Sequence, residues 1–145
     1  MSKLILDNQQ VADNFFEDAS LLGIMAPMPG YQFCNLLKAN MGLDFRNEPT
    51  SEICLSRKNR KYYFSVFRYS ETTSNMEHFI YNNKYDGEYL LPEFKHLDFA
   101  WLIQGTNADP LQVSHLTQTL KQINGVQLIV ELTNEKIKNK QHLIL

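Results

Sequence analysis

Glu93, His96 and Asp98 bring two carboxylates and an imidazole into one short segment, the usual raw material of general acid–base catalysis. As an enzyme, the chain would use Glu93 with His96 or Asp98 to move protons on a small molecule. The same residues also have a structural reading. If the apolar stretch from Leu97 to Ile103 is a strand, alternation puts His96 and Asp98 on one face and Leu97 and Phe99 on the other. Pro92 would then block pairing at the strand's entrance, Glu93 would accept backbone N–H bonds in a turn, and Asp98 would pair with a cation or with loop amides. Structural ion pairs account for more perturbed carboxylates than turnover does, so the structural role is the expectation.

A second constellation is basic and aromatic. Arg57, Lys58, Arg60 and Lys61 precede Tyr62, Tyr63 and Phe64, a pattern that can hold phosphates by charge and stack bases on rings. Arg57, Lys58, Arg60, Lys61 and Tyr62 are therefore candidates for contact with a ligand or partner. The charge balance argues against nucleic acid: 14 Lys and Arg face 16 Asp and Glu, a net charge of −2, and no basic excess exists elsewhere. Charged residues at a hairpin tip ordinarily keep a sheet edge soluble.

The remaining chemistry is sparse. Cys34 and Cys54 each sit in an apolar stretch without a neighbouring base, as buried reduced thiols do. His78, His115 and His142 show no metal-ligand spacing, and no Gly-rich phosphate loop or nucleophile elbow occurs, so no metal and no cofactor is expected.

These residues must be positioned by a chain whose hydrophobic content of 43% and charged content of 21% are those of an ordinary globular domain. At 145 residues, a single domain spanning 1–145 is expected. Lys3 to Leu6 could be a short strand. Leu21 to Ala26, closed by Pro27 and Pro29, is short enough to favour a buried strand. Phe33, Leu36, Leu37 and Met41 recur at helical spacing, predicting a helix over Tyr31 to Met41 that Gly42 terminates. Ile53 to Leu55 and Tyr62 to Tyr69 predict a hairpin with a charged tip, Glu77 to Tyr81 a further strand, and Asp86-Gly87 a turn. Leu97 to Ile103 is apolar almost throughout and should be central, with both faces covered. Asp109, Pro110 and Gln112 form a start signal for a second helix, whose stripe of Val113, Leu116, Leu120 and Ile123 ends at Asn124-Gly125. Val126 to Leu132 alternates as a strand, and the terminal Leu143-Ile144-Leu145 is expected to dock on the core or a sheet edge.

Leu91-Pro92-Glu93-Phe94-Lys95-His96-Leu97-Asp98-Phe99 resembles the signature of the bacterial IPExxxVDY family. Pro92, Glu93 and Asp98 match it, while Leu91, Leu97 and Phe99 replace Ile, Val and Tyr. The order of the flanking segments, from the aromatic strand Tyr62 to Tyr69 through Trp101 to Gly105 and on to Leu143-Ile144, is also similar from about residue 21 onward. The resemblance implies membership without implying an activity, substrate or cofactor. Phe99 lacks the family's phenol, which removes any chemistry that would use one there.

The expected fold is α+β: an antiparallel-rich sheet of about six or seven strands with two helices, near Tyr31 to Met41 and Asp109 to Asn124, packed on one face. Met1 to Asp7 carries only three consecutive apolar residues, too few for a signal peptide, and no apolar run is long enough to span a membrane; a cytoplasmic protein is expected. The aromatic content favours a noncatalytic binding or interaction module with an unidentified protein partner or a second copy of itself. The alternatives are the acid–base enzyme and, less favoured, a nucleic-acid adaptor using the 57–64 hairpin.

Overall fold

A computed structural model describes residues 19–71, 76–105, 110–133, 136–138 and 140–143. The fold is α+β, an antiparallel six-stranded sheet with two helices. Its strands are β1 (Ala19–Met25), β2 (Arg46–Asn47), β5 (Val66–Ser70), β6 (Glu77–Asn82), β9 (Phe99–Gln104) and β10 (Leu128–Glu131), in the order β10-β1-β9-β6-β5-β2. Two separate hairpins complete the strands: β3 (Ile53–Arg57) with β4 (Arg60–Phe64), and β7 (Lys84–Tyr85) with β8 (Glu88–Tyr89). Among the described residues the α-helices are α1 (Gly30–Met41) and α2 (Pro110–Lys121).

The apolar run of β9 explains its position. It pairs with β1 on one side and β6 on the other, Leu22 and Ile80 both standing opposite Trp101. Alternation sends Phe99, Trp101 and Ile103 to one face and Ala100 and Leu102 to the other, and all five are buried. Both helices lie on the first face. Phe33 of α1 stacks on Phe99 with ring centroids 4.7 Å apart, and Val113 and Leu120 of α2 join the same core. On the second face the cover among the described residues comes from Tyr62 and Phe64 of β4, Leu90, Leu91 and Leu97, and the tail residues Ile137 and Leu143. The Tyr81 hydroxyl donates to the Leu143 carbonyl at 2.7 Å, so Leu143 docks on the core as its apolar character predicts; Ile144 and Leu145 lie outside the described residues.

Local signals set the element ends. Gly42 takes the left-handed conformation (φ 70°), and its N–H donates to the Lys38 carbonyl at 3.0 Å, ending α1 where the sequence places the stop. Lys58 and Asn59 both have positive φ, making a two-residue turn. The charged tip is therefore only these two residues, and Arg57, Arg60 and Lys61 belong to the strands. Tyr62 to Tyr69 is not one strand: it breaks at Ser65, whose carbonyl accepts from Asn82 N–H at 2.9 Å, and the two halves enter different sheets. The second helix ends at Lys121, ahead of the Asn124-Gly125 signal, because residues 122–125 form turns. The last strand shortens to Leu128–Glu131 because it is an edge with one partner, β1. The expected strand at Lys3 to Leu6 and the cap at Asp109 lie outside the described residues.

Candidate functional site

The segment that carries Glu93, His96 and Asp98 precedes β9 and is not extended; Pro92–Phe94 is a 3₁₀ turn. His96 and Asp98 therefore do not share a strand face, because the strand begins only at Phe99. The organiser of the segment is Asn83, 1% exposed. Its side-chain oxygen accepts from Leu91 N–H at 2.7 Å, and its amide nitrogen donates to the Phe94 and Leu97 carbonyls, both at 2.9 Å. Its backbone adds bonds to the Asp98 carbonyl and from Leu90 N–H. Asp98 accepts from Ala26 N–H at 2.8 Å through one oxygen and meets Lys84 Nζ at 2.9 Å through the other. Glu93 accepts from Lys138 N–H at 2.6 Å, tying the tail to the turn, and His96 is exposed. The two carboxylates are thus near in sequence yet bonded in different directions, and His96 faces solvent.

The basic hairpin is similarly engaged. Arg57 pairs with Glu88 at 2.8 Å, and Arg60 pairs with Asp86, both carboxylates lying on the neighbouring β7–β8 hairpin. Tyr85 of that hairpin meets Tyr62, Tyr63 and Phe64 edge-on, with centroids 6.0 to 6.4 Å away. Tyr62, a candidate for surface contact, is 6% exposed and part of the core, because its strand position matches Phe64 rather than Tyr63. Lys58 and Lys61 are exposed. Of the thiols, Cys34 is buried and its pKa is pushed up to about 12 by that burial, whereas Cys54 is exposed: on a two-stranded hairpin only one face is covered, and Cys54 points away from it with Tyr63, its partner in register.

A concave feature lies on the helical face. A cleft of about 600 Å³ runs between the C-terminal end of α1 and the residues just after it (Asn40, Met41, Leu43) and one side of α2 (Leu111, His115, Leu116, Thr119), with His78, Ile103, Met76 and Glu71 also in its walls. Small-molecule sites fall in this size range and combine apolar walls with a few polar groups. His78 stands on β6 on the same face as Ile80 and directly opposite Ile103, one diagonal step from Trp101. The Trp101 indole N–H donates to His78 Nδ1 at 3.1 Å, and His78 Nε2 lies 3.1 Å from Glu71 Oε1. An indole nitrogen can only donate, so Nδ1 must accept, and the ring proton sits on Nε2 facing the carboxylate. Burial holds the His78 pKa below its ordinary value, opposed by the hydrogen bond and charge of Glu71. Phe45 and Tyr69 close round the ring at 6.3 and 5.6 Å.

Sequence reasoning passed over this trio because His78 and Trp101 come from β6 and β9 and Glu71 from the residue after β5, far apart along the chain. One signal was available: a histidine leading directly into the apolar run Phe79-Ile80-Tyr81, at the parity of Ile80, must be buried and must find partners. Among the described residues no group of three His, Cys, Asp or Glu side chains could hold a metal ion, and no helix is long and apolar enough to cross a membrane. No protein-family model matches the chain, and no curated protein matches it.

Proposed function

We propose that the chain is a cytosolic, noncatalytic binding protein whose ligand site is the cleft between α1 and α2, and that it belongs to the IPExxxVDY family on the strength of the Leu91–Phe99 residues. The observation that carries the binding role is the cleft itself, about 600 Å³, walled chiefly by Met, Leu, Ile and Val with the Glu71–His78 pair set into it. A role without turnover is supported by the engagement of the acid and base groups: Asp98 and Glu93 bond backbone N–H groups, and both ring nitrogens of His78 have partners within the chain. None of Glu93, His96 and Asp98 lines the cleft.

The test is titration of the full chain with Nile red, a neutral fluorophore that brightens in apolar surroundings. Saturable enhancement is expected, and it should be lost when Leu116→Trp or Thr119→Trp fills the cleft. Enhancement that never saturates, or that survives both substitutions, would refute the assignment.

A further inference from the structure

We propose that the cleft takes uncharged amphiphiles, of which a long-chain alcohol is the type, and turns away anionic and cationic ones of the same length. This rests on the reading of the cleft as the ligand site and goes on to its chemistry. Met41, Leu43, Ile103 and Leu116 supply apolar wall for an alkyl chain, and among the described residues that line the cleft none is Lys or Arg. An anionic head therefore meets no counterion there, and a charge taken out of water unmatched is costly. Sites of this kind bury most of the ligand's surface. A charged head keeps its water only by staying outside, which withdraws part of the chain from the apolar walls.

A cationic head fares no better. Glu71 is the one Asp or Glu among those lining residues, and it is committed within the chain: it lies 3.1 Å from His78 Nε2 and engages a further group besides. An ammonium would have to displace partners that the fold already supplies. His78 is committed too, its Nδ1 to the Trp101 indole N–H and its Nε2 to Glu71. The polar groups that remain for a head lie on the two helices that flank the cleft. Asn40, at the end of α1, spends one amide N–H on the Leu36 carbonyl at 2.8 Å and keeps its side-chain oxygen as an acceptor. His115, exposed on α2, offers one donor and one acceptor as the neutral imidazole. A hydroxyl both donates and accepts, so it matches either group without bringing a charge.

The experiment is displacement of Nile red from the full chain by 1-octanol, octanoate and 1-octylamine, which share one chain length, at low salt and about pH 7.5, where the acid is ionised and the amine protonated. Octanol is expected to displace at a concentration at least about tenfold lower than either ion. Gln112→Lys and His115→Lys, both at exposed α2 positions that line the cleft, install the cation it lacks. In each variant octanoate should gain at least about threefold on octylamine, the size of one exposed charge pair. Either ion matching octanol on the unaltered chain, or no gain for octanoate in both variants, overturns the selectivity and leaves the cleft as a binding site. Displacement by none of the three overturns both. If neither variant folds, the comparison of octanol with the two ions on the unaltered chain still decides the matter.

Discussion

The indole N–H of Trp101 points at Nδ1 of His78 across 3.1 Å, on neighbouring strands whose register sets the two side chains one diagonal step apart. That bond determines where the imidazole keeps its proton and thereby what Glu71 meets.

Replacing the donor should expose this dependence. In Trp101→Phe, Nδ1 becomes a buried acceptor without a donor, at a cost of about 1–3 kcal/mol in addition to the packing lost with the larger ring. Nitrogen NMR of the histidine rings at neutral pH is expected to show His78 protonated on Nε2 alone in the unaltered chain and a mixture of tautomers in the variant. A signal from protonated Nδ1 in the unaltered chain would contradict the assignment.

Stability should fall as the solution is acidified through the histidine range. The folded-state pKa of His78 is lowered below 6.5 chiefly by burial, so below that pH the unfolded chain takes up a proton that the native chain refuses. The unfolded state binds more protons in this window, and stability therefore rises with pH, by at most about 1.4 kcal/mol per pH unit for one group. Among the described residues Glu71, Trp101, Tyr69 and Phe45 pack against the ring, and His115 also lines the cleft. Urea midpoints measured at about pH 7.5 and 5.5 should differ less in His78→Gln than in the unaltered chain, because the variant lacks this proton. Identical slopes in the two would remove His78 as the cause.

Asn83 should matter more to stability than any acid of the signature segment. Asn83→Ala strips an acceptor from Leu91 N–H and donors from two carbonyls at once, and a loss of about 3 kcal/mol or more is expected. Asp98→Ala deprives Ala26 N–H of its acceptor and should cost about 1–3 kcal/mol, while Lys84→Met, which removes only a half-exposed partner, should cost under about 1 kcal/mol. Denaturant unfolding gives the order. Nile red binding should be unchanged in Asp98→Ala, whose side chain does not line the cleft.

The two thiols should separate cleanly by reactivity. Burial raises the Cys34 pKa to about 12, so almost no thiolate forms there at about pH 8, whereas Cys54 is exposed. Mass spectrometry after brief iodoacetamide treatment should find one adduct on the native chain, at Cys54, and two in urea. Native labelling of Cys34 would mean that the α1 packing opens readily.

Much of this architecture is legible in the residues. The stop at Gly42, the turn at Asp86-Gly87 and the central place of β9 follow from local backbone preference and from a run too apolar to face water on either side. The break at Ser65 is not legible, since aromatic and β-branched residues continue through it; only the need to cover the second sheet face turns β4 out of the plane. The same holds for Cys54 and Tyr62, whose exposure depends on which side of a hairpin meets the core.

Local sequence determined the element types, most of their ends and the faces that must be buried, because those depend on side-chain period and on conformations available to a few residues at a time. Tertiary structure alone decided that Glu93 and Asp98 bond in different directions, that Arg57 and Arg60 are matched by Glu88 and Asp86, and that Glu71, His78 and Trp101 meet. Those relationships arise from the register between strands distant along the chain, and register is set by the burial of whole faces rather than by any short stretch of residues.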